Sequence, residues 1–120
     1  MKLSIDAIEE IISNQIEIDC YYDEEINTGW YYFLSEGLSF PFWAEYLQKR
    51  RKGENQWIGV EVIGIHSQIE SFNGKSFYVE IDVNDMLIPV RLSELRNLQV
   101  GEKEEEILQV WRYRIRGEEL

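Results

Sequence analysis

The sequence predicts an α+β fold, with short helices packed on a small, strongly bent antiparallel sheet or SH3-like partial barrel. Three observations carry that expectation. Apolar residues recur at helical spacing towards both ends of the chain, they alternate in twos over the middle, and tight-turn dipeptides punctuate the alternating stretches. With 120 residues, 44% of them hydrophobic and 13% aromatic, the chain can bury one real core but hardly two. A single domain over 1–120 is expected, made of an acidic helix-strand-helix part over about 1–45, a small sheet over about 56–92 and a C-terminal helix over about 103–115.

Ser4 caps a first helix near 4–14, where Ile5, Ile8, Ile12 and Ile16 recur at helical spacing, Asp6 lies in the first turn and Glu9 and Glu10 point outward. From Ile16 to Asp23 the pattern changes to strict alternation, with Ile16, Ile18, Cys20 and Tyr22 on one side and Glu17, Asp19, Tyr21 and Asp23 on the other. A strand is expected there. Asp23 then caps a helix over about 24–37, with Ile26, Trp30, Phe33 and Leu34 inward and Gly37 as its stop, although Gly29 weakens it.

Pro41 makes Phe40-Pro41-Phe42 extended, and Lys49 to Asn55 reads as an exposed loop. Trp57 to Ile65 alternates, Asn73-Gly74 signals a hairpin, and Phe77, Val79, Ile81 and Val83 line one face of the next strand. Asn84-Asp85 is a second tight turn before Met86, Ile88 and Val90. Three or four short strands joined in this way give the bent sheet. Glu104, Glu105 and Glu106 begin a last helix that Arg112, Arg114 and Arg116 close, an order that matches the helix dipole at both ends.

Charge is distributed unevenly over this frame. The net charge is -11, and ten of the 23 acids but none of the 12 bases lie between Lys2 and Lys49. The density peaks in Glu17-Ile18-Asp19-Cys20-Tyr21-Tyr22-Asp23-Glu24-Glu25, interleaved with aromatic and β-branched residues of a kind that folds. Folding gathers these carboxylates, and each pair at roughly 5 Å repels by about 1–3 kcal/mol. A cation or a basic protein surface is the natural counterpart, whereas nucleic acid is not, because its phosphates attract Lys and Arg. A lone cysteine leaves no internal disulfide and no ordinary cysteine zinc site, and no run is long enough to span a membrane. A cytoplasmic monomer is expected.

Clustered carboxylates without a soft ligand favour hard cations, Ca²⁺ ahead of Mg²⁺, which keeps its waters. The EF-hand template fails here. Laid from Asp19, it puts Tyr21 at its third position, Glu24 where the glycine belongs and Trp30 where the bidentate Glu should stand. Against a metal site stands the plainer reading of a solvated acidic face. Gly74-Lys75-Ser76 mimics the end of a phosphate loop, but Ile69 stands where the first glycine is needed. His66 with Cys20 as a nucleophilic pair, and Asp82 with Asp85 as hydrolytic carboxylates, are outweighed by core packing and turn chemistry. An enzyme is not expected.

The string Asp19-Cys20-Tyr21-Tyr22-Asp23-Glu24-Glu25, with Gly29-Trp30-Tyr31-Tyr32-Phe33-Leu34, Phe40-Pro41-Phe42-Trp43-Ala44, Val60 to Ile65, Pro89-Val90 and Trp111, resembles the CcbP-type calcium-binding proteins of cyanobacteria and some other bacteria. The resemblance covers roughly residues 17–115. It implies a small, acidic, cytoplasmic protein that binds Ca²⁺ without EF-hands, as a buffer or a sensor, and it supports Asp19, Glu24, Glu25 and Glu36 as members of the acidic cluster. The chain departs from the pattern at Ser35, Ser67, Gln68 and Val110, which puts any second, weaker site in doubt. The candidate ligands of one ion are thus Asp19, Asp23, Glu24, Glu25 and Glu36, with Asp82 or Asp85 on a sheet loop to complete the shell. The rival reading is an acidic interaction module that docks a basic partner.

Overall fold

The computed structural model describes residues 2–116, which separate into two compact units. The first is helical and draws on three stretches of chain: residues up to Ser39, Gln68–Lys75 and Gly101 onward. In it α1 (Ile5–Ile11) starts as expected, with the Ser4 hydroxyl accepting from Ala7 N at 3.1 Å. Ile8 and Ile16 are buried, but Ile5 is 47% exposed and leaves the stripe.

The strand expected over Ile16 to Asp23 does not form. The chain instead continues from α1 into a π-helical turn (Ile12–Ile16), closed by Glu17 N donating to Ile12 O at 2.8 Å. Asp19 then takes a left-handed φ of 55°, which reverses the chain and breaks the alternation, so Ile18 and Tyr22 end up exposed. The physical reason is that the acidic stretch has no neighbouring strand to pair with, and Ile16, which would open the strand, is taken up by the π-helical turn that continues α1.

Helix α2 (Asp23–Gly37) buries Trp30 and Leu34 and stops at Gly37 as expected. Its N-cap is Tyr22, which makes no side-chain cap bond, so Asp23 is the first helical residue and not the cap. Gly29 is there because a Cβ would collide with the carbonyl oxygen of Ile16, where the π-helical turn presses on α2. Helix α3 (Glu102–Arg116) carries Glu102, Glu104 and Glu105 in its first turn and Arg114 and Arg116 in its last. It buries Ile107, Leu108, Val110, Trp111 and Tyr113. Trp30 and Trp111 meet with ring centroids 5.8 Å apart, and Phe72 lies 6.2 Å from Trp111. α1 is tied to α3 by Leu3 N donating to Gln109 Oε1 at 2.6 Å and by the Tyr113 hydroxyl donating to Glu9 at 3.2 Å.

Asn73-Gly74 is not a two-residue hairpin. Residues 66–77 separate the flanking strands, and Phe72 is buried among the aromatic side chains of the helical unit. The glycine signal itself is sound. Gly74 has a φ of 80°, and its carbonyl accepts from Arg114 Nε at 3.0 Å.

The second unit, Phe40–Ser67 with Ser76–Val100, is a five-stranded antiparallel sheet. Its strands are β1 (Phe42–Gln48), β2 (Gln56–Ile65), β3 (Tyr78–Val83), β4 (Met86–Arg91) and β5 (Leu95–Gln99), in spatial order β4-β3-β2-β1-β5. Two of these, β1 and β5, add to the strands read from periodicity. Register shifts at Trp43/Glu45 and Val62/Gly64 mark bulges that bend the sheet. A three-residue 3₁₀ turn (Leu92–Glu94) carries the chain from one edge strand to the other, although a flat sheet would separate them by about 19 Å. The sheet is therefore strongly curled. Phe42, Ala44, Val60, Val62, Val79, Ile81 and Val90 face its buried side. Asn84 and Asp85 turn β3 into β4 with φ of 52° and 66°, the tight turn expected. No helix among the described residues is long and apolar enough to cross a membrane.

Candidate metal centre

The link from the π-helical turn to α2 carries the acidic residues, and Glu17 anchors it. Glu17 Oε2 accepts from Trp30 Nε1 at 2.8 Å and from Arg114 Nη1 at 3.5 Å. The Arg114 guanidinium lies 4.8 Å from the centre of the Trp30 ring. Burial pushes this guanidinium below its usual pKa and Glu17 pulls it back up, so Glu17 is held in place as a counterion. It was legible as one acid among many, but nothing in the sequence paired it with an arginine 97 positions away.

Beyond this anchor stand the expected ligands. Asp19 is exposed at the left-handed corner, and Asp23, Glu24 and Glu25 are exposed in the first turn of α2. Three acids there also complement the positive end of the helix dipole, so they serve the helix as well as any ion. Between the two groups lies Cys20, its Sγ 3.5 Å from Ile18 O. Burial, and then Glu25, Glu17 and Asp19, push its thiol pKa up. That one thiol feels all three carboxylates puts the link and the helix start in one neighbourhood. The same carboxylates disfavour the thiolate form of Cys20.

Glu36 stands apart from this group. α2 is one unbroken helix, so Glu36 lies about 20 Å along its axis from Asp23 and cannot share an ion with it. It lines instead a groove of about 540 Å³ together with Lys103, Glu106 and Ile107. Asp82 and Asp85 belong to the sheet unit. Asp82 sits in β3, opposite Glu61 of β2 and Leu87 of β4, and Asp85 is the second residue of the tight turn. Among the described residues no three His, Cys, Asp or Glu side chains stand close enough to hold a metal ion together. The donors at the helix start are nevertheless the right kind for a hard cation, being all carboxylates, exposed, and outside every ion pair formed among the described residues.

A family model described as calcium binding matches residues 10–115. The chain belongs to the CcbP family of calcium-binding proteins. CcbP structures share its architecture. The crystal structure of Anabaena CcbP is similar with a TM-score of 0.76 and 29% identity, over 93% of this chain and 91% of that one. A calcium-binding protein in its calcium-binding form is similar with a TM-score of 0.73 and 27% identity, over 96% of this chain and 94% of that one. Comparison with curated protein sequences returned no match. The CcbP family is a calcium-binding family and not a known family of enzymes, and the three helices with a five-stranded antiparallel sheet described above are its fold.

Proposed function

We propose that this chain binds Ca²⁺ through Asp19, Asp23, Glu24 and Glu25, and works as a cytoplasmic calcium buffer or sensor without catalytic activity. The observation that carries the reading is the run of exposed carboxylates Asp19, Asp23, Glu24 and Glu25 around the start of α2, within a chain of the CcbP family. When bound, a divalent cation supplies positive charge to a group of like charges that now stands exposed. The protein supplies the hard oxygens and holds the link through Glu17, Trp30 and Arg114. These features favour Ca²⁺ over Zn²⁺. The side chains are not held in a ready cage, so part of the binding energy goes into ordering them. That suits a site that changes its surroundings when the ion arrives.

Calorimetric titration of the whole chain with Ca²⁺ tests the reading. Asp19→Asn with Glu25→Gln should abolish the tightest binding, whereas Asp82→Asn with Asp85→Asn, which removes as much charge, should spare it. Equal loss in both variants would show that a diffuse acidic field holds the ion.

A further inference from the structure

The outward face of the sheet sets a carboxylate near an indole at two places, diagonally for Glu45 and Trp57 and directly opposite for Glu61 and Trp43, and an arginine fills the first. There, Arg96 Nε donates to Glu45 Oε1 at 2.7 Å while its guanidinium lies 3.8 Å from the centre of the Trp57 ring. Asn97 donates to the same oxygen at 2.9 Å, and Arg96 holds Glu45 below the ordinary carboxylate pKa range. An arginine is thus clasped between a carboxylate and an indole, a geometry that matches both its planar donors and its charge.

The second place lies beside it along one row. Trp43 of β1 faces Glu61 of β2, Glu61 faces Asp82 of β3, and Asp82 faces Leu87 of β4. Residues directly opposite share a face of the sheet, so the two carboxylates are neighbours with an indole on one side and an isobutyl group on the other. Trp43 is 56% exposed and Leu87 55%. Among the described residues no cation reaches Glu61 or Asp82. The arginines on this face are engaged elsewhere, Arg96 on Glu45 and Arg91 on the Tyr78 hydroxyl at 3.4 Å, and the His66 ring lies within 3.3 Å of Glu80.

We propose that the row Trp43, Glu61, Asp82 and Leu87 is a docking site for an arginine of a basic protein segment, which stacks on Trp43 and binds both carboxylates. The occupant follows from what the face already does at Trp57 and Glu45, and from charge, because a chain of net charge -11 attracts basic segments and repels a second copy of itself. Arginine fits better than lysine, since its fork of donors reaches two carboxylates while its plane lies on the ring. Leu87 takes an apolar residue beside the arginine. The site lies wholly within the sheet unit and needs no metal ion.

The experiment uses the whole chain in chelator and a capped Gly-Arg-Leu-Arg-Gly peptide as probe. Nuclear magnetic resonance should show the Trp43 indole N–H shifting on titration while that of Trp57, already covered by Arg96, stays. Fluorescence anisotropy with the labelled peptide should show Glu61→Gln with Asp82→Asn weakening binding about tenfold, and Trp43→Leu weakening it about fivefold at unchanged charge. Replacing both arginines of the probe by lysine should also weaken it. Asp23→Asn with Glu24→Gln, an equal loss of charge on the helical unit, should change affinity less than about twofold. All these positions are exposed or half-buried and the changes to amides keep side-chain volume, so circular dichroism should show folded variants. The proposal is overturned if the two double variants lose affinity equally, if Trp43→Leu binds as well as the parent, or if the two indoles shift alike. Binding of the row to phosphatidylcholine vesicles or self-association through it, seen by flotation or sedimentation, would overturn it too.

Discussion

Gly29 stands in the middle of α2, where helix propensity alone says that alanine would be better by about 1 kcal/mol. Packing says the opposite, because a methyl group there meets the Ile16 carbonyl that ends the π-helical turn. The backbone oxygen cannot rotate away as a side chain could, so the helix and the turn must separate. Overpacking of this kind costs about 1–3 kcal/mol, more than propensity returns. Gly29→Ala should therefore lower the urea midpoint at unchanged slope. A higher midpoint would mean that the contact between turn and helix is loose. The same contact bears on the metal site, since Glu17 follows directly after Ile16 and grips Trp30 one residue beyond Gly29. Calcium affinity in the folded fraction should drop along with stability.

The hairpin between β3 and β4 turns on two residues in the left-handed region, Asn84 and Asp85. Such turns prefer Asn-Gly, and a non-glycine residue at the second position costs about 1 kcal/mol. Asp85→Gly should stabilise the chain by about that amount in thermal unfolding and leave calcium affinity unchanged, because Asp85 is not among the proposed ligands. Weaker calcium binding in a more stable protein would show that Asp85 serves the ion. This element was readable in advance, as were α2, α3 and the strand face of Phe77, Val79 and Ile81, because each combines a clear period with a turn or cap at its end. Residues 16–23 misled because Ile16, Ile18, Cys20 and Tyr22 alternate by chance, while a π-helical turn leaves no period of its own. β5 was missed because Leu95–Gln99 is short and contains Asn97 with a φ of 50°. The acidic group was plain in its charge. The distance from Asp23 to Glu36 was also implicit, since thirteen positions of one helix rise about 20 Å. What no pattern revealed was the grip of Arg114 on Glu17, a contact that only the folded chain creates.

At the scale of the whole molecule, the net charge of -11 sets the terms on which any cation acts. Carboxylates confined by folding repel more than the same groups on an extended chain, so a bound cation stabilises the folded state in preference to the unfolded one. A ligand present at about 100 times its dissociation constant adds roughly 2.7 kcal/mol. The melting temperature should therefore rise in Ca²⁺ relative to chelator. General screening would act similarly, however, and the comparison with other ions separates the two. Screening depends on charge and ionic strength and treats Mg²⁺ and Ca²⁺ alike, whereas a site of several protein carboxylates favours the ion that gives up its water readily. The difference in melting temperature between equal concentrations of Ca²⁺ and Mg²⁺ should persist at 0.15 M salt, where the Debye length is only about 8 Å and distant carboxylates no longer contribute. If the two ions raise it equally, or if salt removes the difference, the charge of the chain is a field without a site.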